Sequence, residues 1–323
     1  MRSQSLTVVI MMLVLVALGS SDGIADDINS RIVVTGLVFD DGANRRLRNP
    51  SSLHYDANAG EVVIADAGNS RILIYDRDLI PRYSFDHFVP DRSTGQLVKG
   101  QPKAVAVNSH GEIIISDNLV NYLEVLDFRG RPIEKIFLDA ALGDTSLTIR
   151  PECFTIDEQD NLYVVTTGDL VTVLVLGPDY QLKRSFGQKG TGPTDFNTVI
   201  SICHRDGWIY LADVYATPAV KVFDTAGAYI KGFGGHQVDR ADVSLPSGIA
   251  VMVDGDGQKY VWIVDGLRQV IKVLDSEGAF QAFVGGFGFG LGEFRYPTAI
   301  AFSGNVFYVL EKVGGRIQSF RID

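Results

Sequence analysis

One phrase, written six times over, constrains this chain more than any other feature. Residues 62–76 read "VVIADAGNSRILIYD": an apolar run ending on Asp66, a polar turn, and a second alternating run ending on Asp76. The phrase returns at 113–127, 162–176, 209–224, 261–275 and 307–321. Upstream of each copy lies another alternating run, opened by Pro50, Pro102, Pro151, Pro246 and Pro297, and in the fourth copy by Thr198. These openings stand 52, 49, 47, 48 and 51 residues apart. A near-constant period of this size, with several short strands per unit, marks a repeat fold.

Each unit parses into four strands. The first follows the proline, the second ends at the acidic position, and the third is the "RILIYD" type. Turns such as Asp127–Gly130, Asp224–Gly227 and Asp275–Gly278 then lead to a fourth. Gly, Asp and Asn suit these turns because they tolerate the backbone angles that hairpins require. No segment shows helical periodicity. The expected fold is therefore all-β: a six-bladed β-propeller of four-stranded antiparallel blades. The sixth copy stops at Asp323, one strand short, and an unassigned run "RIVVTGLVF" (31–39) precedes the first copy. That run is predicted to supply the missing strand and close the ring, which removes an open sheet edge.

The phrase "ADAGNSRILIYD" (65–76) resembles the core of NHL-repeat propellers, and "GFGFGLGEFRYPTAIAF" (286–302) resembles their glycine-rich lead-in, phenylalanine and Pro-x-x-Ile strand. The likeness spans residues 30–323, strongest in blades one, five and six; blade three departs most, with Thr166-Thr167 where others place Asp. The resemblance implies a six-bladed recognition platform. A minority of similar propellers, amidating lyases and lactonases among them, are metal-dependent enzymes.

Arg2 followed by the apolar stretch Leu6–Leu18 and a small-residue exit at Gly23–Ala25 reads as a signal peptide over residues 1–25, too short to span a bilayer comfortably. The expectation is an exported protein, periplasmic or extracellular, whose residues 26–323 form one propeller domain. The formal net charge of −10, with no Lys/Arg-rich run, argues against nucleic acid and anionic lipid as partners. Another exported or envelope protein, or an anionic ligand, is the expected partner. The two cysteines, Cys153 and Cys203, make neither a disulfide scaffold nor a C-x-x-C motif, and they read as two buried free thiols. No cofactor motif is present, and none is expected.

The acids Asp66, Asp117, Asp213, Asp265 and Glu311 recur at one repeat position, which points to architecture: each is expected to cap the turn after its second strand. "DGDG" (254–257) reads as a hairpin turn rather than a calcium loop, and "GGFGFGLG" (285–292) lacks the helix a phosphate loop needs. His87 and His236 fall on one face of the ring, His110 and His204 on the other, so they cannot converge on zinc. His54 stands alone on an inner strand, where the equivalent positions hold Ala106, Thr155, Ser201, Ala250 and Ala301.

The most informative constellation is basic. Arg48, Lys103, Arg150 and Arg295 lie beside the first-strand openings of contiguous blades one, two, three and six, accompanied by Asn49, Gln101, Glu152, Asn197 and Tyr296. On an acidic chain such a rim would hold a carboxylate-bearing ligand or an acidic partner segment. The bland alternative pairs the same cations with neighbouring carboxylates. Two functions stand at this point: a non-catalytic binding or scaffold protein using the channel mouth, and a metal-dependent lyase or lactonase-like hydrolase. For the second, Glu152, Asn197 and Asn49 are the only trio of ligands on offer. No catalytic residue is assigned.

Overall fold

A computed structural model describes residues 31–236 and 239–323. The proposed signal peptide lies outside these residues. Six four-stranded antiparallel sheets stand around a central channel, forming a six-bladed β-propeller. The innermost strands are Ser52–Asp56, Pro102–Val107, Ile149–Ile156, Val199–Arg205, Pro246–Val253 and Pro297–Ser303. Each touches the next around the ring, and the last returns to the first. The closing strand is Ile32–Val38, which pairs antiparallel with Arg316–Ile322 from Ile32↔Ile322 to Val38↔Ile317. The chain's N-terminal strand thus completes blade six. At the bulge in this pairing stands Gly36, where any Cβ would come within 2.6 Å of Ser319 Oγ.

The middle strands are apolar at nearly every position because both faces of a blade are covered. In blade one, Val62 and Ile64 pack towards blade six with Tyr308 and Leu310, while Val63 and Ala65 pack towards blade two with Val105 and Ile113. All four are at most 2% exposed. Truncating Ile64 to alanine costs about 2–5 kcal/mol. Outer strands such as Pro132–Phe137 face solvent and are mostly exposed.

Three features differ from the sequence reading. A two-stranded hairpin, Phe88–Pro90 with Leu97–Lys99, separates blades one and two. A single helical turn, Leu138–Ala141, follows blade two and is too short to show as periodicity. Blade four is also offset by one residue. Val199, not Thr198, pairs with the acid Asp213 as Pro102 pairs with Asp117. Without a proline to punctuate it, the start of that strand carries no marker. The pairing makes Cys203, rather than Ser201, the counterpart of His54, since His54 and Cys203 each pair three residues before their blade's acid. Both thiols are free, but Cys153 is buried whereas Cys203 is only partly so.

Candidate functional site

The five repeat acids sit beneath the mouth at which the first strands begin. Each is at most 4% exposed, and none lines the channel. Each accepts backbone N–H bonds from the connection entering its own blade. Asp66 accepts from Arg48 (2.8 Å), Asp117 from Gln101 (2.5 Å), Asp213 from Asn197 and Thr198, Asp265 from Ser244 and Leu245, and Glu311 from Arg295 (2.7 Å). The expected turn contact is added at Asp117, from Leu119 N–H, and at Asp265, from Arg268 N–H. The connection contacts went unread in the sequence because they join residues 15–21 positions apart.

Buried cations balance these carboxylates. Arg71 donates Nε to Asp66 at 2.7 Å and Arg316 donates Nε to Glu311 at 2.5 Å; Lys221 Nζ lies 3.1 Å from Asp213, and Lys272 Nζ 4.0 Å from Asp265. Burial pushes the Lys272 ammonium down to about 8. In blade two the place opposite the acid is taken by His87, with Nε2 3.2 Å from Asp117 and Nδ1 3.8 Å from Glu124. Burial raises the Glu124 carboxyl. Blade three dispenses with the arrangement: Thr166 donates to the carbonyls of Leu170 and Thr172, and Asp169 takes the N–H of Thr148 instead.

The channel encloses about 540 Å³ and is layered by strand register. At the mouth stand Ser51, Lys103, Glu152, Ile200, Ser247 and Thr298, joined by Asn118, Tyr296 and Lys312. Lys103 Nζ and Glu152 Oε1 are 2.6 Å apart. Deeper, an apolar girdle is formed by Leu53, Val105, Phe154, Ile202, Ile249 and Ile300, one from each blade and each 4–8% exposed. Below it His54 and Cys203 share a level with Thr155, Ala250 and Ala301. Burial holds His54 down at about 4, so its imidazole is neutral at neutral pH, and burial pushes the Cys203 thiol up to about 11. Neither is primed as a charged acid or thiolate nucleophile.

The basic rim read from the sequence is divided. Lys103 is engaged by Glu152. Arg150 is exposed and lines neither the channel nor the two hollows beside it described below. Gln101 and Asn197 lie exposed on the mouth face, with Asn197 Nδ2 donating to Tyr215 O at 3.4 Å. Arg48, Asn49 and Arg295 do converge, in a hollow of about 370 Å³ where blade six meets blade one. Arg46 and Lys312, which were not singled out in the sequence, join them there. Tyr296 lines the channel and an apolar hollow of about 240 Å³ beside Leu267, Phe287 and Val313.

A metal fits this channel poorly. Among the described residues Glu152 is the only carboxylate in its lining and is already paired with Lys103, His54 lies below the girdle, and Asn49 and Asn197 do not line it. Among the described residues no three His, Cys, Asp or Glu side chains are grouped to hold an ion. Of the remaining histidines, His204 lines the channel next to Cys203 and stacks on Tyr163, His110 is exposed near Asp160, and His236 has its two ring nitrogens 2.8 Å from the carbonyls of Val243 and Ala216.

No protein-family model and no curated protein matches the chain. Solved propellers do. The chain is similar to a gluconolactonase from Xanthomonas campestris (TM-score 0.58, 12% identity, covering 85% of this chain and 86% of that one). It is similar to a luciferin-regenerating enzyme (0.59, 14% identity, 88% and 95%). A third is virginiamycin B lyase from Staphylococcus aureus (0.54, 12% identity, 90% and 100%). At these identities the likeness establishes the six-bladed fold.

Proposed function

We propose that the chain is an exported propeller of the NHL-repeat type that holds a small hydroxylated molecule at the mouth where its first strands begin. The layering of the channel carries this reading: hydroxyls, an amide and both signs of charge gather in one ring above a girdle without a polar group. Ligand sites of this kind are concave, with a few convergent polar groups over apolar walls. Lys103 and Glu152 bond each other at 2.6 Å, and the remaining ammonium donors and carboxylate lone pairs of this pair are the groups that hydroxyls of a ligand would meet. Ser51 and Ser247 donate to the carbonyls of Pro102 and Pro297, which leaves their oxygens free to accept. Export is supported by the apolar Leu6–Leu18 segment, and the NHL reading by the phrase at 65–76.

The named enzymes among the solved neighbours support a second reading over a protein scaffold: a hydrolase or lyase acting at the same mouth. Glu152, the one carboxylate among the described residues of the lining, would then be the proton-accepting group, with Lys103 beside the charge that develops. Thermal-shift and acid-release measurements with δ-gluconolactone and gluconate separate the two. Binding alone raises Tm in the wild type and not in Lys103→Met, with no acid released above the buffer rate. A hydrolase releases acid, and Glu152→Gln abolishes the release. No Tm shift and no turnover with either compound would remove the mouth as a site for such molecules.

A further inference from the structure

We propose that the hollow where the ring closes is a second binding site, adjoining the channel mouth at Lys312 and built for a small organic dianion such as an aryl phosphate. Three segments far apart in sequence form it: Phe39 with Arg46–Asn49, Phe289 with Arg295, and Lys312–Arg316. The last of these is the turn after blade six's second strand. Gly315 holds φ +57°, and any Cβ there would come within 2.8 Å of Leu47 O, so the close approach of the first and third segments requires glycine.

The charge balance within this hollow is one-sided. Arg46, Arg48, Arg295 and Lys312 line it, no carboxylate does, and none of the four forms a salt bridge among the described residues. Glu311 and Asp66, the nearest repeat acids, are buried and already bonded to Arg316 and Arg71. Four unmatched cations on a chain of net charge −10 invert the field locally. Two of the guanidinium groups are already oriented: Arg295 lies 4.3 Å from the Phe289 ring centroid and Arg46 5.7 Å from that of Phe39. Stacking on an aromatic face leaves the planar donors of arginine free for the paired oxygens of a phosphate or carboxylate.

The neighbouring hollow gives the ligand its other half. Leu267, Phe287 and Val313, exposed at 64%, 67% and 55%, line it together with Tyr296, and it shares Arg295 and Val313 with the cationic hollow. A ligand with its anionic group among Arg48, Arg295 and Lys312 can thus lay an apolar ring across Val313. This site does not depend on the channel reading. Its probes carry no lactone, and its deciding substitutions leave Lys103 and Glu152 intact.

Titration calorimetry at low salt with 1-naphthyl phosphate, inorganic phosphate, pyrophosphate and citrate tests the proposal. The expected order places 1-naphthyl phosphate about tenfold tighter than inorganic phosphate, a difference that apolar contact with Val313 and Phe287 can supply. Citrate and pyrophosphate report charge alone and weaken steeply as salt is added. Arg48→Gln with Arg295→Gln lowers every affinity at least about tenfold, and Val313→Asp removes only the preference for the naphthyl group. Equal binding of all four probes by wild type and the double variant, or no binding of any probe by wild type, would overturn the proposal. Circular dichroism melting of each variant accompanies the titrations, so a loss of fold is not read as a loss of site.

Discussion

Two sets of basic side chains meet at the same mouth of this propeller and have opposite fates. Arg71 and Arg316 are 1% and 3% exposed, and each is held by a buried carboxylate and by carbonyl oxygens of the connection above it. Arg48 and Arg295 lie on those same connections, and among the described residues their guanidinium groups form no salt bridge. The difference follows the place in the blade. Arg71 and Arg316 each sit five residues after their acid, at the start of a third strand, whereas Arg48 and Arg295 sit in the connections, two residues before a first-strand proline. The cations inside the blades are tied to the repeat acids, and those in the connections are the ones proposed to meet a ligand. A third case, His54, is kept neutral by burial, which outweighs the opposing pull of Asp56.

Breaking the first set gives the largest effect. Arg71→Ala strands the carboxylate of Asp66, 0% exposed, and frees Asp41, whose Oδ2 lies 2.6 Å from Arg71 Nη1. Removing one partner from a buried pair costs about 3–5 kcal/mol. The loss is read by urea or thermal melting. Adding Asp66→Asn to Arg71→Ala is expected to recover part of it, because a neutral amide costs less to bury than an unpaired charge. A melting point unchanged by Arg71→Ala would show the connections to be held by their backbone bonds alone.

The degree to which each set could be read from sequence follows from the same division. Repetition made the acids visible, since Asp66, Asp117, Asp213, Asp265 and Glu311 recur at one position. Their buried partners were harder to see. The cation comes five residues on in blades one and six, eight in blade four, and from outside the blade altogether in blade two, where His87 takes the role. The closing strand was legible because its alternation had no other home in a ring one strand short. The seam hollow was legible only in part. Arg48 and Arg295 lie two residues before prolines and so attract notice, but Arg46 and Lys312 occupy positions without a sequence marker and arrive there through the turn at Gly315. Pairing across blades, as between Lys103 and Glu152, needs coordinates, since the two lie 49 residues apart at corresponding positions of their repeats.

The pH dependence of stability sharpens the third case. Burial lowers the His54 pKa from 6.5 to about 4. The folded state therefore resists a proton that the unfolded state accepts. This contribution is fully present above pH 6.5 and is lost as the pH falls towards 4. Its size is at most about 3 kcal/mol, and water in the channel reduces it. His54→Ala, which installs the residue found at this level in blades two, five and six, is expected to flatten that part of the stability–pH curve. Persistence of the slope in the variant would move its origin elsewhere, with the His87–Asp117–Glu124 cluster next to be examined.

The smallest effect makes the finest cut. Arg150 shares the mouth face and the sign of charge with Arg48 and Arg295, but it is exposed and lines neither the channel nor the seam hollow. If the seam hollow binds through placed guanidinium groups, Arg150→Gln leaves the affinity for pyrophosphate within about twofold of wild type, a residual set by long-range charge and erased by added salt. Stability is expected to stay within about 0.5 kcal/mol, as at other surface positions without a partner. A fall in affinity matching that of Arg48→Gln would mean that the face attracts anions as a diffuse field, and that convergence around Gly315 adds nothing. Because both substitutions remove one positive charge, the difference between them isolates position from charge, which is the distinction that separates the two sets of cations.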